Sequence, residues 1–162
     1  MEGLHALNPK LTYFVPGYQQ MRIYLSALIQ ININNHNRIS TSDTRLLRRM
    51  VRDVQYRGHS PEDTLSIWKS VRRGEEENIF SFQNRVDRVF NSALIYELPV
   101  LKKMTRPMLE RIKKGNPLYP EAQRLIHFFE PFRELSDDFV PDNSILREFI
   151  GYKKTKFSQK ES

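Results

Sequence analysis

Cysteine is missing altogether from the 162 residues, which excludes disulfides and thiol catalysis and agrees with a cytoplasmic protein. Histidine is scarce: His5, His36, His59 and His127 stand far apart and form no metal-binding spacing such as HExxH. His127 falls in an apolar stretch and is expected in the core rather than at a ligand. The six glycines build no phosphate-cradling loop, and GxxxxGK[ST] occurs nowhere. No apolar run approaches the roughly 18–20 residues of a membrane span. The amino terminus, MEGLHALNP, has no basic segment followed by an apolar one, so no signal peptide is read there. Acidic residues are the minority. With 19 Asp and Glu against 26 Lys and Arg the net charge is +7, which favours acidic or phosphorylated partners.

What is present is the composition of a globular domain, 39% apolar and 28% charged, at a length that supports one real core. The organising stretch is Thr41–Gly58, TSDTRLLRRMVRDVQYRG. At helical period Leu47, Met50, Val51 and Val54 form an apolar stripe fit to pack on a domain body. Arg45, Arg48, Arg49 and Arg52 repeat the same spacing on the other side, with only Asp43 and Asp53 as acidic company nearby. Arginine grips phosphate well, because its planar fork stays charged and can bond two oxygens at once. The pattern is that of a polyanion clamp or of an ordinary solvated basic face; spacing does not choose between them. Nor does it choose between a nucleotide and a nucleic acid.

Along the chain, Glu2 is a lone carboxylate ahead of a short apolar segment, in a setting that suits the end of a buried strand. Lys10–Tyr18 predicts loop, with a helical turn around Leu11. Met21–Leu28 is rich in apolar and β-branched residues and predicts the first strand. Asn32–Ser40, rich in asparagine, predicts an irregular, mobile loop. Ser42 or Asp43 is expected to cap the arginine helix, and Gly58 to end it. Ser60, Pro61 and Asp63 are N-cap, N1 and N3 of a second helix, with Leu65, Trp68 and Val71 on its apolar side. Trp68 is expected in the core. Arg72 to Glu77 predicts a charged loop, Ile79–Phe82 a short aromatic segment and Arg88–Leu94 a second strand. Leu98, Leu101, Met104, Met108 and Ile112 predict a helix over Glu97–Lys114, kinked at Pro107. Glu121–Phe129 and Ser144–Ile150 predict two more, the last capped by Asp142 or Asn143 and closed by Gly151.

Taken together, EGLHALNP, TRLLRRMVRD with QYRG, SPEDTLSIW, SVRRGEEENIF and RVFNSALIYEL resemble the uridine kinase/phosphoribulokinase branch of P-loop kinases. The likeness is to its long bacterial uridine kinase-like proteins, and it covers roughly Glu2 to Phe149. RLxRRxxRD is the specific part. The resemblance implies the carboxy-terminal part of an α/β P-loop kinase fold, helix-rich with few strands, in which residues about 42–58 are the lid helix over the nucleotide. Carried over by position, Arg48 and Arg52 are expected at the phosphates of ATP as catalytic and cofactor-binding residues. Arg45 is expected nearer the nucleoside, and Glu2 matches the strand-end carboxylate that helps hold magnesium. The family's Walker A loop and substrate-side acidic residue would precede Met1. Residues 1–151 are therefore expected to be the carboxy-terminal half of a nucleoside kinase domain, with 152–162 a flexible tail.

The implied reaction is transfer of the ATP γ-phosphate to the 5′-hydroxyl of a nucleoside such as uridine. Contact with ATP and nucleoside would run through the missing amino-terminal half, and this chain alone is expected to be inactive. Missing neighbours would leave a sheet edge or face uncovered, so a homo-oligomer is expected. A catalytically dead regulatory or assembly domain is one alternative. A basic nucleic-acid-binding module is another, although the aromatics fall at core-period positions instead of interleaving with the basic face.

Overall fold

The computed structural model of the chain describes residues 3, 5–29 and 39–152. At its centre runs helix α1 (Thr41–Tyr56), against which the later helices pack. Its start is set by Ser40, whose side chain accepts from the Asp43 N–H at 3.2 Å, two or three residues ahead of those expected to cap it. That frees the Asp43 carboxylate for a tertiary partner. The inward face is Leu46, Leu47, Met50 and Val51, all fully buried. Val54 is only half-buried, so the stripe sits slightly rotated from the one read at helical period.

Helix α2 (Pro61–Asn78) opens on the expected capping box, with Ser60 and Asp63 bonding each other's backbone N–H. It runs through Arg72–Glu77, where a loop was expected. Gly74 costs a helix interior only about 1 kcal/mol, and Glu75 is drawn onto α1 by an ion pair. A six-residue 3-10 segment, Phe80–Arg85, follows it in place of the short aromatic stretch. Helix α3 (Glu97–Glu110) is shorter than expected and carries Pro107 inside it. Helix α4 (Tyr119–Phe129) buries Ala122, Leu125 and Phe129, and α5 (Arg147–Ile150) is a single turn without a side-chain cap. His127 is exposed, not in the core: α4 turns its other face inward.

One core results. Leu46, Leu47, Met50 and Val51 of α1 meet Leu101 and Leu109 of α3, Leu125 and Phe129 of α4, and Leu146 and Ile150 around α5. Trp68 packs against its edge, half-buried. Buried cations are closed off by backbone carbonyls. Arg147, 1% exposed, donates to the carbonyls of Asp137, Val140, Pro141 and Gly151. Lys102 donates to those of Glu130 and Phe132.

The two strands, β1 (Ile23–Ser26) and β2 (Arg88–Asn91), pair in parallel with Ile23 beside Arg88 and Ser26 beside Asn91. Both are shorter than the runs read from composition. The Asn91 side chain extends the ladder by accepting from the Leu28 N–H and donating to the Leu28 carbonyl. Only Tyr24 and Ser26 of β1 are buried, and all four residues of β2 are exposed. The chain is thus helix-rich, with a parallel two-stranded sheet compatible with an α/β class. Among the described residues no helix is long and apolar enough to cross a membrane. Glu2, most of Asn32–Ser40 and all but Tyr152 of the expected tail lie outside the described residues.

Candidate functional site

The parallel strands end beside the arginine face of α1, and a cleft of about 260 Å³ opens there. Leu25, Ser26 and Ala27 line it from the end of β1, and Ser92 from just past β2. Arg45, Arg48, Arg49 and Arg52 form its cationic wall, while Trp68, Val71, Ile145 and Phe149 give it an apolar one. The four arginines expected to share a face therefore do share a cleft, and the structure brings Arg45, Arg48 and Arg52 together in it.

Their partners differ. Arg48 is buried, donating from Nε to Glu97 Oε2 at 2.6 Å and from Nη2 to the Ser92 carbonyl at 2.7 Å. A third bond runs from Nη1 to Ser92 Oγ at 3.2 Å. Glu97 is completely buried. Burial pushes its carboxyl above the usual glutamate range, against the opposing pull of Arg48 and the Leu94 N–H. Arg45 reaches across to α2 and holds both oxygens of Glu75, itself buried. These carboxylates come from α2 and α3, far along the chain, which is why α1 read alone had so little acidic company.

Arg49 and Arg52 are held more loosely. Arg49 Nε lies 3.0 Å from Asp53 Oδ2, close enough to attract but not aimed so as to hydrogen-bond. Asp53 is buried and shared: Arg57 donates to its other oxygen at 3.0 Å, and Thr64 Oγ1 stands 3.4 Å away. Arg52 has the Glu148 carboxylate at 3.7 Å, with Asp53 also near enough to attract it. Burial first, then Arg57, moves its guanidinium below the ordinary arginine value. Among the described residues the buried Nε groups of Arg49 and Arg52 find no acceptor. The Phe149 ring supports the guanidinium planes of Arg48 and Arg52, at 5.2 and 5.6 Å from its centroid.

The position of Phe149 and Glu148 depends on the end of α1. Gln55 Nε2 donates to the Ile150 carbonyl at 3.2 Å, and α5 stops at Gly151 with φ +85°. A side chain at Gly151 would be strained by that φ and would crowd Tyr56 Oη. At the other end of α1, Arg124 of α4 grips Asp43 with two bonds, at 2.6 and 2.9 Å, and also Glu121. Those carboxylates raise the Arg124 guanidinium well above its ordinary value. The arginine face is thus pinned at both ends.

No family model, curated protein or solved structure matches the chain. Its chemistry rests on the cleft itself.

Sequence reasoning missed Glu75, Glu97, Glu148, Ser92 and Phe149. Glu75 stands in a run of three glutamates, and only tertiary packing distinguishes it from Glu76 and Glu77. Glu97 had a signal, an acid in the first turn of a predicted helix, but that position alone says nothing of an arginine partner. Among the described residues no group of three or more acidic or histidine side chains is placed to hold a metal ion.

Proposed function

We propose that the chain is the lid-bearing part of an ATP-dependent nucleoside kinase, with the arginine cleft gripping the phosphate tail of the nucleotide. The observation that carries this reading is where the cleft opens. Open α/β sheets bind ligands just beyond the carboxyl ends of their parallel strands, and here Ala27 and Ser92 meet four guanidinium groups at that place. A volume of about 260 Å³ falls just short of the roughly 300–1,000 Å³ of whole-ligand pockets, so it suits a phosphate tail better than an entire nucleotide. Phosphoryl transfer relies on positioning and on neutralising charge over the moving group. Arginines supply the second.

The likeness of RLxRRxxRD to the uridine kinase branch supports the 5′-hydroxyl of a nucleoside such as uridine as acceptor. It implies Arg48 and Arg52 at the phosphates and Arg45 toward the nucleoside side, and of these Arg48 is already bonded to Glu97 and Ser92. The described residues offer no carboxylate set for the magnesium that accompanies ATP. No phosphate-cradling loop exists in this sequence, so the arginines grip from one side only. Turnover by this chain alone is expected to be undetectable.

Trp68 is the only tryptophan and lines the cleft, which makes its fluorescence a direct readout. Titration with ATP at low ionic strength should give a saturable change with a dissociation constant on the order of millimolar, about −4 kcal/mol. Added salt should weaken it. No saturable change would sink the reading. Tighter binding of a single-stranded oligonucleotide, with a steep salt slope, would replace it with a nucleic-acid-binding one.

A further inference from the structure

The four arginines of the cleft are not equivalent, and the difference is in what would be left behind if a ligand took them. Withdrawing Arg48 would strand Glu97, which is completely buried, and withdrawing Arg45 would strand Glu75, which is 5% exposed. An unpaired buried carboxylate is costly, so these two pairs hold. Glu148 is different. Its side chain is 60% exposed and only 3.7 Å from Arg52, so it can turn into water without losing a buried environment. Exposed pairs of this kind contribute little by themselves.

Arg49 and Arg52, three residues apart on α1, project to the same side of the helix. Each lines the cleft with a side chain that stays partly exposed, 22% for Arg49 and 29% for Arg52, although its Nε is shut inside. The exposed ends of such guanidiniums gain charge-assisted bonds when an anion arrives. The apolar wall of Trp68 and Phe149 strengthens any charge attraction between them by lowering the local dielectric. Burial and neighbouring Arg57 already disfavour the Arg52 cation, which an added anion would offset.

From this geometry we infer that Arg49 and Arg52 are the exchangeable phosphoryl-binding pair of the cleft, and that Glu148 is the carboxylate latch a bound phosphoryl group displaces. Arg48 is then a positioning residue, fixing the floor through Glu97 and Ser92. The inference rests on the reading of the cleft as a phosphate site and adds which side chains exchange partners. A bound phosphoryl group would meet the exposed Nη ends of the two guanidiniums, which leave their side chains 22% and 29% exposed, while Glu148 swings outward and stops competing.

Calorimetric titration of the full chain with inorganic pyrophosphate at low salt tests it. Glu148→Gln removes the competing charge at an exposed position where folding is not at risk, and should tighten binding by roughly twofold to fivefold. Arg52→Gln should weaken it by roughly tenfold or more, as loss of a charge-assisted contact requires. Arg49→Lys keeps the attraction to Asp53 but loses the planar fork of the guanidinium, and should weaken binding several-fold. If the wild-type chain binds pyrophosphate but Glu148→Gln leaves affinity unchanged or lowers it, the latch is wrong and the phosphate reading stands. Insensitivity to both Arg49→Lys and Arg52→Gln would overturn the exchangeable pair. Failure of the wild-type chain to bind any pyrophosphate would remove the phosphate reading and the latch with it.

Discussion

In the helical body buried charge is closed: Arg48 has Glu97 and Ser92, Arg147 has four carbonyls and Lys102 has two. Farther out in the cleft, Arg49 and Arg52 keep 22% and 29% of their side chains exposed, and their Nε groups go unaccepted among the described residues. The apolar side chains divide in the same way. Phe129 is completely buried in the helical body, whereas Phe90 on β2 is 55% exposed. The helical body has used its groups to fold, and the cleft and the strands keep part of theirs exposed. A protein whose stability were spread evenly would show no such division.

The largest expected effect comes from breaking a closed pair. Arg48→Ala leaves Glu97 buried without a counter-charge and should cost roughly 3–5 kcal/mol in chemical denaturation. Arg52→Ala, one turn further along the same helix, should cost less than about 1 kcal/mol, its partner being exposed. Equal losses would erase the distinction between floor and clamp.

A second contrast concerns the two phenylalanines. Phe129→Ala opens a cavity among Leu46, Leu125 and their neighbours and should destabilise by about 3–5 kcal/mol. Phe90→Ala should stay within about 1 kcal/mol, since half its surface is already in water. A Phe90 loss comparable to that of Phe129 would mean that the strand pair is covered in solution.

The smallest effect lies at the start of α2. Ser60→Ala should cost about 1 kcal/mol through the lost cap. The hydrogen bonds from Ser60 hold the Asp63 carboxyl below its usual value of 3.8. The folded form therefore binds its proton less readily than the unfolded chain. The contribution of this group is present above about pH 4 and lost as pH falls through the lowered folded value. Thermal melts between pH 2 and 5 should flatten in Ser60→Ala; an unchanged acid slope would show that Asp63 is not held by the cap.

Much of this division was legible in the residues, because α1 is amphipathic, although its cap falls at Ser40 and not at the expected Ser42 or Asp43. The capping box of α2 and the placement of four arginines in one cleft follow from spacing and side-chain chemistry near in sequence. The partners were not legible. Glu97 reaches Arg48 across 49 positions and Glu75 reaches Arg45 across 30, and no periodicity encodes which carboxylate will arrive. Charge density also misled at Arg72–Glu77, where a tertiary ion pair and an (i, i+4) contact keep the segment helical. His127 was assigned inward from its apolar neighbours, yet the buried face of α4 is set by Ala122, Leu125 and Phe129.

Arginine Nε–H resonances can be followed directly by nitrogen–proton correlation spectroscopy, which makes the central claim testable on the intact chain. On addition of ATP at low salt, the Nε signals of Arg49 and Arg52 should shift saturably together. That of Arg48, already bonded to Glu97, should stay in place. Movement of the Arg48 signal alone, or no saturable movement of the Arg49 and Arg52 signals, would contradict the account.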